Sequence, residues 1–171
     1  MRAVVQRVLE TQIREGNFIT STITLGLCVS VSFNKNDSID DLNYMTKKVL
    51  HLKMFNDNLS NKPWKMNLRQ KGYGITVLKE KRLVSGFNGS QPILSDAMDS
   101  RSAHKFYKMF IQLLRQKHAP KLVKGTSFRR PVRVNIIHDG PAIFVLHSPS
   151  CLKRSPREKF IAAYGLKYFI D

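Results

Sequence analysis

Few residues in this chain stand at spacings that could do chemistry. The five histidines, at 51, 104, 118, 138 and 147, share no ligand-pair spacing with Cys28 or Cys151, so no structural metal site is expected. Cys28 lies in an apolar run and reads as a buried, reduced thiol, while Cys151 lies in a Ser/Pro-rich stretch. The chain has no phosphate-binding glycine loop and no G-x-S-x-G elbow; Gly86-Phe87-Asn88-Gly89-Ser90 matches a phosphate loop in composition alone. Ser148, His147 and Asp139 could be drawn as a triad, but no strained turn presents the serine, so they read as polar groups at a strand end. No cofactor is implied. One local feature stands out: Gly140-Pro141, within "NIIHDGPAIFVL", sits between two β-branched runs where a hairpin more usually carries Asn-Gly.

Charge is the strongest signal of composition. Lys and Arg number 29 against 12 Asp and Glu, giving +17, and the cations are spread along the whole chain. A folded surface of that sign attracts polyanions, so RNA or DNA is the expected partner, the bland alternative being a Lys/Asn-biased composition. Arg129, Arg130, Lys153, Arg154, Arg157 and Lys159 cluster in connections and toward the end, where phosphates could reach them. The bland alternative for them is an ordinary solvated rim. No apolar run approaches the roughly 18 residues that span a bilayer, and "MRAVVQRVLE" lacks a secretory core. The expectation is an intracellular protein, cytoplasmic or mitochondrial, with no membrane contact.

The elements that must position these residues follow from periodicity. Arg2 to Leu9 and Ile23 to Phe33 are β-branched runs separated by Gly16-Asn17 and read as strands. Ile39, Leu42, Met45 and Val49 fall on one helical face, with Asp37 or Ser38 as cap, Asp40 and Asp41 in the first turn and lysines toward the end. Tyr73 to Leu78 reads as a strand, and Ser100 to Lys117 as a second helix with Ala103, Phe106, Phe110, Leu113 and Leu114 on one stripe. Between them, Lys79 to Asp99 shows no period and reads as a long loop. Val132 to Ile137 and Ala142 to Leu146 read as two strands meeting at Gly140-Pro141. Ser155, Pro156, Glu158 and Gly165 carry the signals of a short final helix. The fold class is α/β: one compact domain, residues 1–146, with a mostly antiparallel sheet or barrel and two main flanking helices. A basic extension, residues 147–171, carries the short helix.

Read end to end, the chain resembles the D-aminoacyl-tRNA deacylase family. The resemblance rests on "MRAVVQRV" as first strand, "GLCVSVSFNKND" as second strand and turn, and "KVLHLKMFNDN" with "KMN". It continues through "QPILSDAMDSRSAHKFYKMFIQLL" as the R-P-x-F loop and long helix, and "DGPAIFVL" as the closing strand. It implies a barrel-like sheet that pairs as a homodimer, or as a pseudo-dimer with a related chain, with the active site at the interface. It also implies a cis Gly140-Pro141 bond projecting into the partner's pocket, where its carbonyls exclude an L side chain. Hydrolysis in the family relies largely on backbone amides and the tRNA 2′-hydroxyl. Gly140, Pro141 and Pro92 are then the candidate substrate contacts.

The family's S-Q-F-T pocket motif falls on Leu78, Lys79, Glu80 and Lys81, its loop phenylalanine on Leu94, and the residues after Gly-Pro on Ala142 and Ile143. Charged groups buried in a pocket built for a neutral ester would cost several kcal/mol, on the order of 2 to 7 for a polar group without a partner. The sequence therefore favours a pseudoenzyme: a deacylase fold serving as an RNA-binding structural protein, of a ribosome or mitochondrial ribosome. The alternative is an active D-aminoacyl-tRNA deacylase with a rewritten pocket.

Overall fold

The computed structural model describes residues 1–128 and 130–152. The final helix expected around Ser155 to Gly165, together with Arg129, Lys153, Arg154, Arg157 and Lys159, lies outside the described residues. Ten strands run in the order β1 (Arg2–Glu15), β2 (Phe18–Ile23), β3 (Gly26–Ser32), β4 (Lys53–Phe55), β5 (Met66–Asn67), β6 (Gly74–Lys79), β7 (Gly86–Asn88), β8 (Gln91–Ile93), β9 (Val123–Gly125) and β10 (Arg133–His147). The helices are α1 (Ile39–His51), α2 (Leu68–Lys71), α3 (Ser100–Lys117) and α4 (Pro149–Leu152), with 3-10 turns at Lys81–Val84 and Pro120–Leu122. Among the described residues no helix is long and apolar enough to cross a membrane.

The main sheet has the order β10-β1-β3-β6-β9, with β2 added to β1. Strand β1 pairs antiparallel with β10, β2 and β3, whereas β3–β6 and β6–β9 are parallel. The antiparallel expectation thus holds for the first half of the sheet, and α1 and α3 lie in the connections that make the second half parallel. Closure at the start of β3 is tight: a Cβ on Gly26 would stand 1.9 Å from the Gly74 carbonyl oxygen. The core is where the apolar stripes meet the sheet. Leu42, Met45 and Val49 of α1 and Phe110 and Leu114 of α3 are buried against Ala3, Val5, Val29, Ile75 and Val77.

Both main helices form where their caps and stripes indicate. The Asp41 carboxylate accepts from the Ser38 amide at 2.9 Å and its hydroxyl at 3.0 Å, closing the first turn of α1. Asp99 accepts from the amides of Arg101 and Ser102, both at 3.0 Å, and caps α3. Buried Tyr107 then fixes α3 over the parallel strands: its hydroxyl donates to the Val77 carbonyl at 2.8 Å and accepts from the Thr126 amide at 2.8 Å. Cys28 is a free, buried thiol whose pKa burial pushes up to about 12, so it is inert at neutral pH.

Three local expectations are corrected. Gly140-Pro141 is no hairpin turn: β10 is one 15-residue strand. Gln6 pairs with Ile143 and Val8 with His138, so Arg7 alone faces four residues, Asp139 to Ala142, and the Gly-Pro pair bulges out of the ladder. The bond before Pro141 is not cis, there being no cis peptide among the described residues. Lys79 to Asp99 is not a structureless loop, because it holds a 3-10 turn and the β7–β8 hairpin closed at Gly89-Ser90.

Candidate active site

Parallel strands β3 and β6 run in register to Val31 and Lys79 and then separate, β3 toward α1 and β6 into the 3-10 turn. A crevice at the carboxyl ends of parallel strands is where α/β sheets place ligands. Here it is a cavity of about 390 Å³ lined by Ser32 and Phe33 from the end of β3, Lys79, Glu80, Lys81 and Arg82 after β6, Leu94 and Met98 from the following loop, and Ser100, Ala103 and Phe128. Its frame is hydrogen-bonded. The Glu80 amide donates to Val31 at 2.8 Å, the Ser32 hydroxyl to the Lys81 carbonyl at 3.0 Å, and the Met98 amide to Phe33 at 3.0 Å.

The charged residues at this cavity do not carry the cost that their sequence position suggests. Lys79 and Lys81 are exposed. Lys79 reaches the rim, where its Nζ lies 4.1 Å from the Phe128 ring centroid and donates to the Phe128 carbonyl. The Glu80 carboxylate accepts from the Arg82 amide at 3.0 Å and pairs with the Arg82 Nε at 3.1 Å, so it serves as the cap of the 3-10 turn. Leu78 is half-buried and lines a neighbouring cavity, away from this one. The desolvation penalty expected for Lys79, Glu80 and Lys81 therefore does not arise, because their charged ends lie at the rim or are paired.

The Gly-Pro bulge is held from behind. Arg7, directly opposite it, donates from Nε to the Asp139 carbonyl at 3.1 Å, pairs with the Asp139 carboxylate at 2.9 Å, and donates from Nη1 to the Met54 carbonyl at 2.7 Å. Trp64 packs over that guanidinium at 5.4 Å and edge-on to Phe144 at 5.9 Å. Gly140 has φ +142, and a Cβ there would lie 2.5 Å from the Ala142 amide nitrogen, so the bulge demands glycine. Gly140 and Pro141 are both exposed on the sheet's edge strand and do not line the cavity of their own chain.

Of the remaining sequence candidates, Pro92 is exposed in the β7–β8 hairpin opposite Phe87 and does not line the cavity, whereas Leu94 does. Arg130 is exposed and lies 3.7 Å from the Glu15 carboxylate. Sequence reasoning missed the Arg7–Asp139 clamp, since the two are brought together only by β1–β10 pairing. It also passed over the charged face of α3 as merely the outer side of an apolar stripe.

A sheet in this order, with its parallel pair opening into a cavity beside α3, is the arrangement of deacylase-like α/β folds. The solved structure of the c-Myc DNA Unwinding Element Binding Protein superposes with a TM-score of 0.84 at 34% identity, over 87% of this chain and 99% of that one. A structure described as a probable eukaryotic D-amino acid tRNA deacylase shares the fold at 14% identity, with a TM-score of 0.73 over 85% and 97%. The chain belongs to the D-Tyr-tRNA(Tyr) deacylase family, whose model matches residues 4–147. It is 34% identical over 150 residues to D-aminoacyl-tRNA deacylase 1 of Bos taurus, covering 88% of this chain and 71% of the relative. It is 36% identical over 151 residues to the D-aminoacyl-tRNA deacylase of Thermodesulfovibrio yellowstonii, covering 86% and 99%.

Proposed function

We propose that this chain is a D-aminoacyl-tRNA deacylase that hydrolyses the ester joining a D-amino acid to tRNA, at a site completed by a second copy of itself. The observation that carries the reading is the cavity at the ends of β3 and β6. It stays open because Lys79 and Lys81 lie exposed and Glu80 is engaged by Arg82, so a neutral ester meets Ser32, Leu94, Met98 and Ala103 rather than buried charge. The relatives named as D-aminoacyl-tRNA deacylases support the same reading. The Gly140-Pro141 bulge, clamped by Arg7 and displayed on an edge that the described residues leave unpaired, is suited to enter a partner's cavity and restrict the side chain beside the ester. The competing reading, a deacylase fold kept for RNA contact alone, draws on the charge of +17 and on Leu78 to Lys81 in place of S-Q-F-T.

The deciding experiment is single-turnover hydrolysis of matched D- and L-aminoacyl-tRNA. Release of the D-amino acid, with the L-ester spared and the rate abolished in Gly140→Val, is the expected result. A folded, dimeric protein that leaves both esters at the uncatalysed rate would overturn the hydrolase and leave the RNA-binding reading standing.

A further inference from the structure

The cavity opens directly onto a second depression of about 580 Å³, which shares Lys79, Ser100 and Phe128 with it and is otherwise lined by Arg101, His104, Lys105 and Lys108. Among the described residues no carboxylate lines this depression. Arg101, Lys105 and Lys108 recur at i, i+4 and i+7 on α3, so one helical face presents three cations in a row. All three are exposed, and none makes an ion pair with a described residue. Asp99, their acidic neighbour in sequence, is occupied in capping α3. The stripe runs on through Gln112 and Arg115 beside the next hollow. From Arg101 to Arg115 the helix advances roughly 21 Å at 1.5 Å per residue.

Unpaired cations in a line, on a rigid helix starting at the mouth of the proposed site, match the geometry of a sugar-phosphate backbone. The wall between the two hollows is built for rigidity: His104 stacks on Phe128 with centroids 4.5 Å apart and planes within 8°, and Lys79 sits on the same ring. We propose that the Arg101, Lys105 and Lys108 face of α3 binds the phosphates of the RNA strand whose 3′ end occupies the cavity, and so sets the direction from which the ester enters. This rests on the hydrolase reading for the identity of the strand. The charge alone does not require it, because the same number of cations stands elsewhere, as at Lys47, Arg69 and Lys117 around the hollow between α1 and the end of α3.

The test uses the full chain and an unacylated RNA hairpin with a single-stranded 3′ overhang, its affinity followed against salt. Arg101→Gln/Lys105→Gln/Lys108→Gln is expected to weaken binding and to flatten the slope of log affinity on log salt by about 2, from roughly 0.7 per phosphate contact on a single strand. Lys47→Gln/Arg69→Gln/Lys117→Gln removes equal charge and is expected to leave the slope unchanged. Equal loss in both variants, or no loss in the first, overturns the assignment. The double variant Arg101→Gln/Lys105→Gln, with an unchanged melting curve, guards against misfolding. Deacylation separates the two readings. If the wild type binds with the expected slope but cleaves no D-ester, the hydrolase fails and the α3 surface stands. If the triple variant cleaves D-ester at unaltered KM with an unaltered slope, the surface fails and the hydrolase stands.

Discussion

At the scale of single residues, the clamp behind the Gly-Pro bulge is the feature most sensitive to change. Arg7 serves three acceptors at once, the Asp139 carbonyl, the Asp139 carboxylate and the Met54 carbonyl, and only a planar fork reaches all three. Arg7→Lys is therefore expected to behave nearly as badly as Arg7→Ala. Each should lose about 1 to 2 kcal/mol in urea unfolding, modest because Asp139 is partly exposed, and a larger factor in kcat/KM for D-aminoacyl-tRNA. A lysine variant with wild-type kinetics would sink the clamp. The rewritten cavity admits the converse test, in which L78S/K79Q/E80F/K81T restores the family motif. An increase in the rate on D-aminoacyl-tRNA is expected, and a decrease would mean that the present residues form a pocket adapted to another substrate. Gly140-Pro141 was legible as the notable pair, but its form was not. A bulge is defined by the partner strand, and nothing within "NIIHDGPAIFVL" states that Arg7 will face four residues.

At the scale of elements, α1 and α3 were readable because caps, stripe and charge all agree over 13 and 18 residues. The β7–β8 hairpin was missed although Gly89-Ser90 is a proper two-residue turn, since three exposed residues on each side are too few to show a period. Phe110, fully buried in α3, is the anchor of the α3 stripe. Phe110→Ala should cost about 3 to 5 kcal/mol, lowering Tm by roughly 10 °C. Asp41 joins α1 to the chain after β10, accepting the Ser150 hydroxyl at 2.8 Å and amide at 3.2 Å besides its bonds from Ser38. Burial raises its pKa, but those hydrogen bonds outweigh burial and hold the carboxyl well below the usual carboxylate range. A depressed folded value means that the stabilisation is complete above the unfolded value, about 3.9, and is lost as pH falls below it. The stability difference between wild type and Asp41→Asn, measured by denaturant titration, should accordingly be constant near neutrality and shrink below about pH 4. A difference that grows on acidification would refute this account.

At the scale of the whole molecule, the proposed pairing of two copies turns on the edge of the sheet that the described residues leave unpaired. Among the described residues β10 has no neighbour on its outer side, and Ile137, Ile143, Phe144 and Val145 are 46%, 50%, 39% and 59% exposed along it. A long apolar edge invites pairing, and soluble proteins leave such edges bare at the risk of aggregation. The Gly140-Pro141 bulge lies in the same strand, whereas the cavity lies beyond β3 and β6, so a second copy on this edge would cover the apolar strip and exchange bulge for cavity in a two-fold arrangement. Charge alone would resist that pairing, since two copies of +17 repel, and the apolar strip must outweigh the repulsion. The dimer should therefore be tighter at high salt, the opposite of its affinity for RNA. Ile143→Lys/Val145→Lys places charge on the outer side of the edge without touching the core. Sedimentation is expected to show a folded monomer that keeps its salt-dependent RNA affinity but has lost hydrolysis of D-aminoacyl-tRNA. A monomeric variant that still turns over D-ester would prove the cavity complete in one chain and remove Gly140-Pro141 from the reaction.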